Sequence, residues 1–211
     1  MPATPNPTVV LASSSPFRRI LLQRLGIAFE TVSPDVDESA HPGESAEALV
    51  LRLAETKARA VSERYPNALL IGSDQVAVIG EHIVSKPGDH DTAVEQLLAS
   101  SGRSVRFLTA VCLLNAATGN TRIDMIPTTV RVRVLDRDTI ENYLRRERPY
   151  GCAGSLQIEG LGIALTECVE SEDPTALIGL PLITLIGMLR AEGVDVIKAN
   201  RAGDPLPGVE A

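Results

Sequence analysis

The chain has 211 residues, enough for one large domain or two small ones, and its 44% hydrophobic and 22% charged content is that of a soluble globular protein. A formal net charge of −7 argues against a surface for duplex nucleic acid, which needs a basic face, but leaves room for a small anionic ligand held by a few local cations. Aromatic residues make up only 3% and Trp is absent, so the core must be built from Leu, Ile, Val and Ala.

In chain order, Val9 to Ala12 reads as a short buried strand that empties through Ser13-Ser14-Ser15 into a helix from Pro16 to Leu25, closed by Gly26. Phe29 to Ser33 is a second strand, and Ser45 to Tyr65 is the clearest helix, with Leu49, Val50, Leu53, Ala60 and Val61 on its apolar stripe. Leu69-Leu70-Ile71 is an all-apolar strand expected to stop at Gly72-Ser73-Asp74 and resume through Val76 to Ile79, with a hairpin turn at Gly80-Glu81. Asp91 to Ser100 predicts a helix ending at Gly102. Val105 to Asn115 and Arg122 to Leu135 then form two long strands, the second with Val130, Val132 and Val134 on one face and Arg131 and Arg133 on the other. Asp136 caps a helix to about Arg146, Pro149 to Gly162 is a glycine-bearing loop, Ile163 to Cys168 a strand and Pro181 to Ala191 a final helix. Strands alternating with helices but interrupted by hairpins imply an α/β fold with a mixed sheet and helices packed on it. Residues 8–198 form a single domain in this reading, with 1–7 and 199–211 as mobile polar tails.

Cys112, Cys152 and Cys168 are widely spaced and contain no Cys-x-x-Cys pair, so they read as reduced thiols. The N-terminus has no basic region followed by an apolar one, so no signal peptide is expected and a cytoplasmic location is. The longest apolar stretch, Ala176 to Leu189, is too short for a bilayer helix and carries Gly179, Pro181 and Gly187.

The chemistry concentrates in a few places. Ser13-Ser14-Ser15-Pro16 places unpaired N–H groups at a helix start, with Arg18 and Arg19 close behind, the outline of a phosphate cradle. The chain has only three lysines, Lys57, Lys86 and Lys198, among 20 basic residues. Lys57 lies on the apolar stripe of its helix, where an unpaired ammonium is costly, so it needs an anion nearby. Lys86 precedes Pro87 and projects from a strand end. Asp74 follows an apolar strand through Gly72-Ser73, where Gly72 permits a close backbone approach and α/β sheets place their ligand sites. A carboxylate there can bind a divalent cation or orient a water. The acidic run Asp35-Val36-Asp37-Glu38 adds donors suited to Mg²⁺ or Mn²⁺. Cations for phosphates beside carboxylates for a hard metal are the parts of nucleoside-phosphate chemistry. His41, His82 and His90 show no metal-ligand spacing, and there is neither a Walker phosphate loop nor a nucleophile elbow.

Ser13-x-Ser15-Pro16-x-Arg18, Asp37-Glu38, Lys57, Gly72-Ser73-Asp74, Lys86-Pro87 and Ala153-Gly154 through Glu159-Gly160, taken in order, resemble the Maf family of nucleotide pyrophosphatases from about Val9 to Val196. The resemblance implies an α/β fold related to inosine-triphosphate pyrophosphatases, a mixed twisted sheet with flanking helices in two lobes around a cleft, and a homodimer. It also implies hydrolysis of a nucleoside triphosphate to the monophosphate and pyrophosphate with a divalent metal. On this resemblance Asp74 is the proton acceptor or a metal-linked carboxylate, and Glu38 helps to hold the metal. Ser13, Arg18, Lys57 and Lys86 bind the triphosphate, Lys57 and Lys86 serving the catalytic step as well.

Family members that act on dTTP and UTP differ at three specificity positions, occupied here by Phe17, Gln75 and Glu159. The set, with Leu51-Arg52-Leu53-Ala54 and Ser73-Asp74-Gln75-Val76, is similar to the YceF-type branch, which acts on 7-methyl-GTP and usually has Trp where this chain has Phe17. N7-methylguanine is cationic, so an aromatic face at Phe17 and a carboxylate at Glu159 for its N1/N2 donor edge suit it. Two other readings stay open: a dTTP/UTP pyrophosphatase of the same family, and a nucleotide-binding regulator linked to cell division that has no turnover.

Overall fold

The computed structural model describes residues 7–198, so the tails expected at 1–7 and 199–211 lie, Pro7 apart, outside the described residues. The elements run β1 (Val9–Ala12), α1 (Pro16–Gln23), β2 (Glu30–Val32), α2 (Ala46–Arg59), β3 (Leu69–Ile79), β4 (His82–Val84), α3 (His90–Ser100), β5 (Ser104–Asn115), β6 (Thr121–Val132), α4 (Arg137–Glu147), β7 (Thr166–Ser171) and α5 (Leu182–Ala191). The strands form one mixed sheet in the order β2-β1-β3-β5-β6-β7, with β4 also paired to β3. β1 is parallel to β2 and β3, and the other pairings are antiparallel. Helix starts follow local chemistry: Ser45, Asp89 and Asp136 each accept a hydrogen bond from the backbone N–H three residues on.

The pleat of β3 and β5 divides the core. Even-numbered residues of β3 such as Leu70, Val76 and Val78, with Leu108, Ala110, Cys112 and Leu114 of β5, pack beneath α2. On the opposite face, Leu69, Ile71, Val111 and Leu113 pack with α1 and α5, while Ala77, Ile79, Val105 and Phe107 pack with α3 and α4. Between these two apolar clusters the same face carries Ser73, Gln75 and Thr109, so the hydrophobic layer is interrupted by a polar window. The sheet is therefore flanked by two bodies of apolar packing with a polar floor between them.

The edge of β3 opposite β5 is open at the same place. β1 pairs with Leu69 to Ile71 and β4 with Ala77 to Ile79, leaving positions 72–76 of that edge unpaired. Side chains from both faces of the sheet can meet there.

Several boundaries differ from the sequence reading. β3 does not stop at Gly72-Ser73-Asp74; it runs unbroken to Ile79, 11 residues in all, because β5 pairs along its whole length. Gly72 is the site of a close approach by α2: a Cβ there would lie 2.0 Å from the Ala54 carbonyl oxygen. The final strand begins at Thr166, since Leu161–Leu165 winds into a 3-10 turn. The long helix ends at Arg59 and gives way to turns before Tyr65. Val134 does not continue the buried row of Val130 and Val132; it lies beyond the end of β6 and is exposed. No helix among the described residues is long and apolar enough to cross a membrane.

Candidate active site

A cleft of about 340 Å³ opens at the gap beside β3, and Ser13, Phe17, Arg18, Glu38, Lys57, Gln75, Lys86 and Glu159 all line it. Asp74 is the one expected site residue not on its wall. It sits behind Lys57, with 6% of its surface exposed.

Lys57 organises this end. Its residue is 4% exposed, and its Nζ donates to Asp74 Oδ1 at 2.6 Å and lies 2.7 Å from Glu38 Oε1. The anion that its place on the apolar stripe of α2 demanded is thus a pair of carboxylates, one from β3 and one from the loop after β2. Gly72 makes the pairing possible, because only a residue without a side chain lets α2 settle this near β3. Burial alone would raise the Glu38 carboxyl. The hydrogen bond and charge of Lys57, with the charges of Lys86 and Arg18, outweigh it and hold the group below the ordinary carboxylate range. Asp74 Oδ2 has no hydrogen-bond partner among the described residues, and no buried side-chain oxygen or nitrogen among them lacks one, so Oδ2 keeps access to solvent.

At the mouth of α1, Ser15 caps the helix by accepting from Arg18 N–H, and Ser13 Oγ accepts from Ser15 N–H at 3.1 Å. Arg18 is half-buried; burial lowers its pKa, and the charges of Asp74 and Glu38 oppose that effect. Its Nε donates to the Gly179 carbonyl at 2.8 Å, which also accepts from Ser73 Oγ at 2.8 Å. Lys86, exposed just beyond the end of β4, adds a third cation to the cleft lining beside Arg18 and Lys57.

Phe17 and Glu159 supply an aromatic ring and a carboxylate to the cleft wall. Burial, opposed by a backbone N–H and reinforced by the charge of Glu147, raises the Glu159 carboxyl. Gln75 is committed at one end: its Nε2 contacts Thr109 Oγ1 at 2.8 Å and the carbonyls of Ala176 and Leu177 at 3.0 Å each. Its carbonyl oxygen has no hydrogen bond among the described residues and remains available to a ligand. Cys152 also lines the cleft, but burial pushes its thiol up to about 12, which makes it a poor nucleophile.

Three supports had no role in the sequence reading, although Arg52 stands in one of its motifs. Arg52 of α2 grips Glu44 through Nε (2.6 Å) and Nη2 (2.8 Å) and donates to the Ser39 carbonyl, which pins the loop carrying Glu38. Asp173, 1% exposed, accepts from the backbone N–H groups of Thr175, Ile183 and Thr184, and so ties the loop bearing Gly179 to the start of α5. Tyr143 and Glu147 of α4 bond the loop that carries Glu159. Apart from the Asp173–Thr175 turn, each joins residues 8 to 14 positions apart, beyond the reach of a single helical turn or pleat.

No group of three His, Cys, Asp or Glu side chains among the described residues could hold a metal by itself. Two carboxylates converging on one positive charge fit a different case, a hard cation that takes one or two carboxylates and arrives with phosphate oxygens.

A family model described as "Maf-like protein" matches residues 8–192. A "7-methyl-GTP pyrophosphatase" of Pseudomonas fluorescens is 56% identical over 188 residues, covering 89% of this chain and 98% of its own length. Proteins of the same name from Nitrosococcus oceani and Pseudomonas aeruginosa are each 52% identical, over 93% and 90% of this chain and 99% of their own length. With a mixed α/β sheet, six motifs in order and relatives of this similarity along nearly their whole length, the chain belongs to the Maf family.

Proposed function

We propose that the protein is a nucleotide pyrophosphatase that hydrolyses 7-methyl-GTP to 7-methyl-GMP and pyrophosphate. The observation that carries this reading is a single cleft lined by three cations, Arg18, Lys57 and Lys86, and also by the Phe17 ring and the Glu159 carboxylate. The relatives named 7-methyl-GTP pyrophosphatase support it. A triphosphate needs the cations. A cationic purine that stacks and offers N–H donors suits Phe17 and Glu159.

In this mechanism Ser13, Arg18, Lys57 and Lys86 bind and orient the triphosphate. Asp74 takes the proton of the attacking water through Oδ2, the oxygen not engaged by Lys57. The water oxygen bonds to the α-phosphorus, the bond from that phosphorus to the bridging oxygen breaks, and the electron pair leaves with pyrophosphate. Glu38 and Asp74 would hold Mg²⁺ or Mn²⁺ together with phosphate oxygens, and the ion would neutralise charge on the phosphates. Phe17 stacks on the base, Glu159 accepts from its donor edge, and the free carbonyl of Gln75 offers a further acceptor. A pyrimidine would leave Glu159 without those donors.

We place the activity in the cytoplasm, where the three free cysteines would stay reduced, and in a homodimer. Purified protein with Mg²⁺ and a panel of 7-methyl-GTP, GTP, dTTP and UTP should release pyrophosphate fastest from 7-methyl-GTP. Faster release from dTTP or UTP would overturn the substrate assignment, and tight binding with no product would overturn the enzymatic one.

A further inference from the structure

We propose that Tyr143 and Glu147 of α4 are positioning residues that clasp the 155–162 loop and thereby aim Glu159 at the base end of the cleft. The inference rests on the substrate reading above and adds to it the residues that make base selection rigid.

Tyr143 and Glu147 lie four positions apart on one face of the helix. The Tyr143 hydroxyl donates to the Ser155 carbonyl at 3.1 Å and accepts from Gln157 N–H at 2.9 Å. Glu147 Oε2 accepts from Leu161 N–H at 2.7 Å. The helix therefore grips the loop on both sides of Glu159. Within the loop the Gln157 carbonyl accepts from Gly160 and Gly162 N–H, closing a tight turn around the same residue.

The backbone shows what this grip demands. A Cβ on Gly160 would lie 2.2 Å from Glu147 Oε1, and one on Gly162 would lie 2.4 Å from the Gln157 carbonyl oxygen. Ser155, fully buried, holds a left-handed φ of 58°, which persists only where neighbours over-determine it. Those neighbours are Tyr143, and Gln96 of α3, whose Oε1 accepts from Ser155 Oγ at 2.6 Å. The Glu159 carboxyl is bonded by its own backbone N–H and by no other residue's side chain among the described residues, so its direction is set by the backbone that carries it. The Glu147 charge near it also raises the Glu159 carboxyl, in keeping with their proximity.

The test compares Tyr143→Phe, Glu147→Ala and Glu147→Gln with wild type on 7-methyl-GTP and UTP, reading kcat and KM separately alongside the melting temperature. Tyr143→Phe and Glu147→Ala should raise KM for 7-methyl-GTP about 10-fold, with kcat within about threefold and the UTP constants little changed. Glu147→Gln keeps length and an acceptor oxygen, and should restore the wild-type KM. Equal losses on both nucleotides, an unchanged preference, or no rescue by Gln would overturn the clasp. If Glu147→Ala does not fold, Tyr143→Phe, which loses one hydroxyl, decides the question by the same criteria. Glu159→Gln in the same panel separates the two levels of inference. If it relaxes base preference while the α4 variants do not, the clasp fails alone. If it changes nothing, the role assigned to Glu159 in base selection fails, and the clasp with it.

Discussion

Lys57 shows how a single residue type in an unusual place leads to chemistry. An ammonium among Leu53, Ala54 and Ala58 is costly unless neutralised, and the chain brings it Asp74 and Glu38. Because Lys57 has two counter-ions, removing the charge of Asp74 leaves it paired. Asp74→Asn should therefore keep a wild-type circular dichroism spectrum while kcat for pyrophosphate release falls roughly 10²- to 10⁴-fold, the range for loss of a general base. Glu38 carries a pH consequence. Its carboxyl is held below its ordinary 4.5, so the folded state favours the ionised form, and the stabilisation is complete above that value and lost as pH falls through the lower folded one. The melting temperature should drop on acidification below about 4.5, and the drop should be shallower in Glu38→Gln. The need of Lys57 for an anion was legible in helical spacing. Which anion was not, because Asp74 and Glu38 approach from separate segments.

At the scale of elements, the site depends on how closely α2 sits on β3. The sequence reading took Gly72 as a place for a ligand to approach the backbone, yet the approach belongs to the helix. Gly72→Ala should press Cβ against the Ala54 carbonyl and cost roughly 1–3 kcal/mol in urea denaturation, with a fall in kcat as Lys57 is pushed from Asp74. The strand around it was misread for a related reason. Glycine, serine and aspartate break an apolar run locally, whereas eleven consecutive pairings to β5 keep β3 straight through them. The caps at Ser45, Asp89 and Asp136, by contrast, act within one turn, and the starts of the helices they begin were legible within about two residues.

For the molecule as a whole, an acidic chain with a net charge of −7 places three cations, Arg18, Lys57 and Lys86, in one cleft, which favours an anion there. Two carboxylates are too few to cage a cation, so the ion should depend on the nucleotide for the rest of its shell. Chelation by EDTA should then stop turnover without lowering the melting temperature of the nucleotide-free protein, and added Mg²⁺ should restore it. The proposed homodimer is checked by light scattering after size exclusion, where a mass of twice the 22.5 kDa chain is expected.

Taken alone, the amino-acid sequence determined the element types, their caps, the scarcity of lysine and the order of the motifs, because each depends on neighbours within a turn or a pleat. The order of the motifs, through their resemblance to the Maf family, also named the residues proposed for the nucleotide and for catalysis. Only the tertiary structure decided that β1 and β4 leave 72–76 of β3 open between them, with Gln75 from one face and Lys57, paired to Asp74 of the other, lining one cleft. It alone also showed that Arg52, Asp173, Tyr143 and Glu147 hold the loops around that cleft. Those bonds span residues whose separation in the chain leaves no periodic trace, and they form only when the sheet brings the segments together.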